Sequence, residues 1–207
     1  MFYFVKTPWL LKKCYPSYCW DIPSDDKTIY LTFDDGPNPN ATPFVLDLLK
    51  KYQAKATFFC IGKNVVSYPD IYARILHEGH RVGNHTQNHV NGWKSSDSKY
   101  LSNVEEAAKY IDSNLFRPPY GRITRFQASC LQKSKAQYKM IMWDVLSADF
   151  DLDISAEKAA KNVINNSKNG SIIVFHDSEK AFPRLETALP MVLDFFSEKA
   201  YQFKVVS

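Results

Sequence analysis

The chain has 207 residues, 45% hydrophobic and 23% charged, an ordinary globular balance with enough length to bury a substantial core. Its 26 basic and 22 acidic residues leave a mild net charge of +4, spread along the chain without a like-charge tail, which argues against a nucleic-acid partner. No stretch approaches the roughly 20 apolar residues of a membrane span, and the opening Met1-Phe2-Tyr3-Phe4-Val5-Lys6 lacks the apolar run and cleavage site of a secretory signal, so a soluble, cytoplasmic protein is expected.

Residues 1–25, rich in aromatics, prolines and serines, read as an irregular N-terminal extension. Four cysteines, Cys14, Cys19, Cys60 and Cys130, fit no zinc spacing and read as structural thiols. From residue 26 strands and helices alternate. Thr28 to Phe33 is a strand that ends at Asp34-Asp35-Gly36-Pro37. Thr42-Pro43 opens a helix to about Tyr52. Ala56 to Ile61 is a continuous apolar run, which suits a strand buried on both faces. A helix from Pro69 closes at Gly79, and the short strand Arg81-Val82-Gly83 delivers His85. A third helix spans about Ser98 to Ser113. Leu115-Phe116 leads into Arg117-Pro118-Pro119-Tyr120-Gly121, and a shorter helix follows to Gln132. Tyr138 to Trp143 reads as one strand ending at Asp144. Ser155 caps a helix, Ser171 to Phe175 is an apolar strand ending at His176-Asp177, and a helix over Arg184–Ala200 precedes a strand from Phe203 to Val206. Pro190 should kink that last helix or mark its first turn.

Strands alternating with helices imply right-handed crossovers and a parallel sheet. The polar clusters follow successive strands: Asp34-Asp35, His85 to His89, Arg117 to Tyr120, Asp144 to Asp149, and His176-Asp177. On the rim of a barrel such strand ends converge on one pocket, whereas an open sheet would spread them in a line. The expectation is one α/β domain, residues 26–207, folded as a distorted (β/α) barrel of about seven parallel strands.

Adjacent carboxylates repel, so Asp34-Asp35 calls for a compensating cation. His85 and His89 lie four residues apart, which on a helical turn would put both imidazoles on one side. Together with one carboxylate of the pair they make a three-ligand set with a position left open for water, the catalytic form of a zinc site. The other aspartate can then take a proton from that water, and His176 is the candidate to return one to the leaving group. Arg117, on a stiff loop, can hold one carboxylate by a bidentate pair. Asp144 or Asp149 can support the imidazole of His176. Trp143, Phe150 and Tyr120 offer flat surfaces for a sugar ring.

In this order, from Lys27 to Ser207, the clusters resemble the polysaccharide deacetylases, carbohydrate esterase family four with its NodB-like domain. Thr32-Phe33-Asp34-Asp35-Gly36-Pro37, His85-Thr86-Gln87-Asn88-His89, Arg117-Pro118-Pro119-Tyr120-Gly121 and Ile173-Val174-Phe175-His176 carry the likeness. The resemblance implies Asp34 as general base, Asp35, His85 and His89 as ligands of a divalent metal, zinc first with cobalt or nickel as alternatives, and Arg117 as the group orienting the base. It further implies the Tyr120 N–H at the oxyanion, His176 as general acid, Asp149 as its tuning carboxylate, and an N-acetylated glycan as substrate. An O-acetyl esterase and a catalytically silent glycan-binding module are the alternatives. The fourth motif departs from the family pattern: Leu146 stands where an aspartate is usual, and Phe150 where a tryptophan is.

Overall fold

A computed structural model of the chain describes residues 3–207. The sheet grows outward from β1 (Thr28–Asp34), all seven residues of which are buried. On one side β2 (Ala56–Cys60), β3 (Arg81–Asn84), β4 (Leu115–Phe116) and β5 (Lys139–Met140) follow in order. On the other side lie β7 (Ile172–His176) and then β6 (Val145–Leu146), while β8 (Gln202–Phe203) extends β1 at its start. Every pairing is parallel, and the seven-strand path curls into a half-barrel of the expected distorted (β/α) kind.

Helices α2 (Ala41–Lys51), α3 (Gly62–Ser67), α4 (Pro69–His77), α5 (Asp97–Ala108), α6 (Arg125–Lys133), α7 (Ala156–Asn166) and α8 (Phe182–Glu198) connect the strands. β1, β2 and β7 are largely apolar and almost wholly buried because both faces are covered. Phe33 stacks between Phe58 and Phe175, with ring centroids 5.1 and 6.1 Å away. At about 2 kcal/mol for each buried large apolar side chain, this cluster is a main source of the sheet's stability. Parallel pairing puts the C-terminal ends of the strands on one rim, where the polar motifs begin.

The structure departs from the sequence reading in four places. Residues 1–25 are less irregular than expected: Trp9–Cys14 forms α1. The stretch 138–143 is not one strand but the short β5 followed by an irregular crossing to β6. α3 carries neither Pro nor cap signal and was not anticipated. Of the two readings of Pro190, that of a first turn is excluded, since it lies inside α8, whose first turn holds Pro183.

The gap between β5 and β6 is filled by the N-terminal segment. Cys19 N donates to Met140 O at 2.8 Å and Cys19 O accepts from Met142 N at 2.7 Å. Further along, Thr7 N donates to Asp144 O at 2.9 Å and Val5 O accepts from Leu146 N at 2.8 Å. Asp144 pins this closure from within. Fully buried, it takes hydrogen bonds from Lys6 Nζ at 2.6 Å, Lys12 Nζ at 2.7 Å and Ser171 Oγ at 2.5 Å. Burial works to raise its pKa, but these donors outweigh burial and hold it below the ordinary value.

Stability from Asp144 is therefore present above the ordinary carboxylate pKa and lost as the group protonates at lower pH. Asp144→Asn is expected to lower unfolding free energy by about 2 kcal/mol at pH 7, because both lysines can still reach water. The deficit should shrink as pH falls below about 4. Urea unfolding of both proteins across pH checks this, and equal stability at pH 7 would remove Asp144 as the pin.

Candidate active site

β1 delivers Asp34 to the rim, and the chain then leaves extended geometry at once. Asp35 has φ 82, in the left-handed region. The turn is tied on every side: Asp34 O accepts from Asp177 N at 3.0 Å, Asp35 O from Asn64 Nδ2 at 2.7 Å, and Gly36 O from Ile61 N at 2.9 Å. Gly36 N donates to Asp177 Oδ1 at 3.0 Å, and Thr42 Oγ1 donates to Asp177 Oδ2 at 2.5 Å. A Cβ at residue 36 would fall 2.0 Å from Asp177 Oδ2, so only glycine fits there. Burial raises the Asp177 carboxyl to about 8.

Asp34 faces Arg117, whose side chain is fully buried. One nitrogen, Nη1, donates to Asp34 Oδ1 and to Thr32 Oγ1, both at 2.7 Å. Nε and Nη2 go to the carbonyls of Ile141 and Met142 at 3.1 and 2.9 Å. The expected bidentate grip is thus a single charged hydrogen bond, since the rest of the fork ties the rim together. The guanidinium lies 4.0 Å from the centroid of Phe59. Phe59 has room because residue 83 is glycine: a Cβ there would sit 2.5 Å from its ring.

His85 and His89 leave β3 on a loop, not on a helical turn as expected. Left-handed residues Thr86 (φ 66) and His89 (φ 53) fold the loop back and bring the two rings to a centroid distance of 5.1 Å. His89 Nε2 is 3.1 Å and His85 Nε2 3.7 Å from Asp35 Oδ1. These three ligand atoms all lie within 4.8 Å of one another. His85 Nδ1 is 2.7 Å from Arg117 O, a carbonyl that can only accept, so the proton sits on Nδ1 and Nε2 keeps its lone pair. Burial lowers the pKa of His85 to about 4, which leaves it neutral.

Burial alone would raise the Asp35 carboxyl, but the imidazoles of His89, His176 and His85 override burial and hold it far below its usual range. Asp35 Oδ1 is buried yet accepts no hydrogen bond of good geometry. An ionised oxygen with no well-formed hydrogen bond, lying beside the Nε2 atoms of two imidazoles, fits a divalent cation of zinc type.

His176 ends β7. Asp149 holds it twice, Oδ1 at 2.7 Å from the ring Nδ1 and Oδ2 accepting from the backbone N at 2.7 Å. Burial pulls the pKa of His176 down, but the charge and hydrogen bond of Asp149, with Asp35 and Asp34 nearby, lift it to about 9. Arg184 Nε donates in turn to Asp149 O. Phe150 packs edge-on to His176 at 5.2 Å, and Tyr3 packs edge-on to Phe150 at 5.5 Å.

Tyr120 also has a left-handed backbone (φ 60), and its ring lies 4.5 Å from that of His89. Trp143 lies against the same turn: a Cβ on Gly121 would come 2.7 Å from its indole. With Ala148 (φ 64), four of the five polar loops contain a strained non-glycine residue, each costing about 1 kcal/mol or more.

Of the predicted residues, Asp34 and His176 end β1 and β7 at the rim, and Arg117, Asp35, His85, His89, Asp149, Tyr120, Phe150 and Trp143 lie in its connected loops. Asp144 does not: it sits before β6, held by Lys6 and Lys12. Sequence reasoning missed Asn64, Asp177, Arg184 and Tyr3. Only Asp177, next to His176, carried a signal; the others are single polar or aromatic residues outside any motif.

The sequence pattern of the family described as Polysaccharide deacetylase matches residues 21–141. A peptidoglycan-N-acetylglucosamine deacetylase of Bacillus cereus is 36% identical over 194 residues, covering 91% of this chain and 90% of the relative. The peptidoglycan-N-acetylmuramic acid deacetylase PdaC of Bacillus subtilis is 34% identical over 88% of this chain, which spans 38% of that longer protein. A crystal structure of a peptidoglycan N-acetylglucosamine deacetylase in complex with 4-naphthalen-1-yl-N-oxidanyl-benzamide superposes with a TM-score of 0.84 at 30% identity, covering 97% of this chain and 95% of the other. The chain belongs to the polysaccharide deacetylase family of hydrolases.

Proposed function

We propose that the chain removes N-acetyl groups from N-acetylglucosamine-type amino sugars, with peptidoglycan strands as the first substrate class. One observation carries the reading: a three-ligand set shares its rim with a carboxylate held by Arg117 and with an imidazole held by Asp149. Amide hydrolysis needs both a base for the water and an acid for the leaving amine, and a glycan binder needs neither. Similarity to relatives named as peptidoglycan deacetylases supports the substrate class. Residues 26–207 are the catalytic unit in this reading, and residues 1–25 an N-terminal extension, of which residues 3–25 pack across its open edge.

Asp35, His85 and His89 would hold the divalent ion, zinc by the character of the donors; when bound, it supplies Lewis acidity and a water of lowered pKa. Asp34, fixed by Arg117, takes a proton from the attacking water as the new C–O bond forms. The Tyr120 N–H donates to the oxygen that becomes negative. His176 gives its proton to the nitrogen as the C–N bond breaks, leaving acetate and a free amine. Phe150, Trp143 and Tyr120 give rings against which the sugar can lie.

Asp34→Asn is expected to lower kcat by about 10³-fold with zinc content unchanged, whereas His85→Ala should lose the zinc as well. Acetate release and elemental analysis check both, and near-wild-type turnover in the first or full zinc in the second would end this assignment. The pH profile tests the acid. Asp149 raises the pKa of His176, so activity should persist until pH approaches about 9 and fall above it as the acid deprotonates. Asp149→Asn should move that basic limb down by about one pH unit or more, besides lowering kcat. An unmoved limb would mean that another group is the acid.

A further inference from the structure

The proposed chemistry leaves unused an exposed tryptophan four residues beyond His89. Trp93 is 60% exposed and Tyr120 is 55% exposed. A large aromatic in water is informative when it is held rigidly there. Trp93 N donates to Asn91 Oδ1 at 3.0 Å, and its indole Nε1 donates to Ile123 O at 3.1 Å, which fixes the ring plane. Gly92 N donates to Arg122 O at 3.1 Å. The fully buried Gln127 donates from Nε2 to Gly92 O at 3.0 Å and to Asp97 Oδ1 at 2.9 Å, and is itself locked in a capping box with Thr124. The loop after His89 and the turn after Arg117 are therefore zipped together beneath the indole.

Arg122 completes the arrangement. Its guanidinium carbon lies 4.5 Å from the Trp93 ring centroid. Among the described residues it takes part in no ion pair. Stacking orients a guanidinium without consuming its in-plane donors, which match a carboxylate. Tyr120, two residues before Arg122 on the same turn, has its ring 4.5 Å from that of His89. The turn that carries Tyr120 beside His89 thus also carries a cation stacked on a hydrogen-bonded aromatic surface. A neutral oligomer of amino sugars has no use for the cation. A strand in which the sugar next to the reacting unit bears a carboxylate matches both parts.

We propose that Trp93 and Arg122 form a subsite for a carboxylate-bearing sugar unit neighbouring the reacting one, the indole against the ring and the guanidinium on the carboxylate. This rests on the deacetylase reading above and narrows its substrate to an acidic glycan. The carboxylate belongs either to an ether-linked lactate on the sugar or to a peptide stem attached through it.

Three substrates separate these: a neutral N-acetylglucosamine tetramer, a stem-free alternating strand with free lactyl carboxylates, and the same strand with its stems. Acetate release is measured for the wild type, Trp93→Ala, Arg122→Gln and Arg122→Lys. Arg122→Gln should lower the ratio of kcat/KM on an acidic strand to that on the tetramer about tenfold, through KM. Arg122→Lys should recover part of that ratio, and Trp93→Ala should raise KM on all three. Selective loss on the stem-free strand names the lactyl carboxylate, and loss confined to the stem-bearing strand names the peptide. An unchanged ratio in Arg122→Gln overturns the subsite. Calorimetric titration of the three strands reads the subsite without turnover. If no strand releases acetate, the deacetylase reading fails, while selective loss of acidic-strand affinity in Arg122→Gln still upholds the subsite and equal affinity overturns it.

Discussion

Two carboxylates adjacent in sequence cannot serve as equal anions in one water-poor pocket. Here the backbone separates them. Asp34 is the last residue of β1 and meets the Arg117 guanidinium, while Asp35 turns into left-handed geometry and meets imidazoles. Each charge has its own compensator, so the pair can differ in role. The strain at Asp35 persists because the peptides around it are tied to Asp177, Asn64 and Ile61, groups on two different connections.

That separation depends on a buried arginine, and the arginine depends on the fold. Arg117 reaches from β4 across to β1 and to the carbonyls of Ile141 and Met142. A buried guanidinium is tolerable only where its donors are satisfied and its faces packed. Phe59 supplies a face, and Gly83 leaves room for Phe59. The same Arg117 offers its carbonyl to His85 and so fixes the tautomer of that ring. One side chain and its own backbone thereby set both the Asp34 anion and the His85 imidazole, which couples the site's geometry to the register of β1 through β5.

Much of this was legible in the sequence because it follows from short-range rules. The largely apolar runs of β1, β2 and β7 announced a sheet covered on both faces, and the polar residues at and just after the strand ends announced the rim on which they gather. What was not legible needed distance. His85 and His89 look like a helical pair, yet left-handed backbone at Thr86 and His89 brings them together instead, and a β-branched residue such as Thr86 gives no sign of positive φ. Asp144 looks equivalent to Asp149 by spacing, but lysines more than 100 residues away claim it. Arg117 reads as a bidentate partner until two carbonyls from the crossing after β5 take the rest of its donors. The run 138–143 reads as a single strand because all its residues but Lys139 are apolar or aromatic; the N-terminal segment that pairs there lies too far away in sequence to be foreseen.

That N-terminal segment also bears on the departure in the fourth motif. Phe150 stands where the resemblance leads one to expect a tryptophan, and a smaller ring beside His176 would leave the wall thin. Tyr3 packs edge-on against Phe150, and its hydroxyl donates to Asp151 Oδ2 at 2.5 Å, so the wall is two aromatics deep. Behind it, Lys6 and Lys12 are drawn in by Asp144, and Val5 and Thr7 pair across the gap between β5 and β6. The stretch that closes the half-barrel therefore also backs the ring against the candidate acid. Closure and the shape of this aromatic wall are one structural feature, and a change in either is felt at His176.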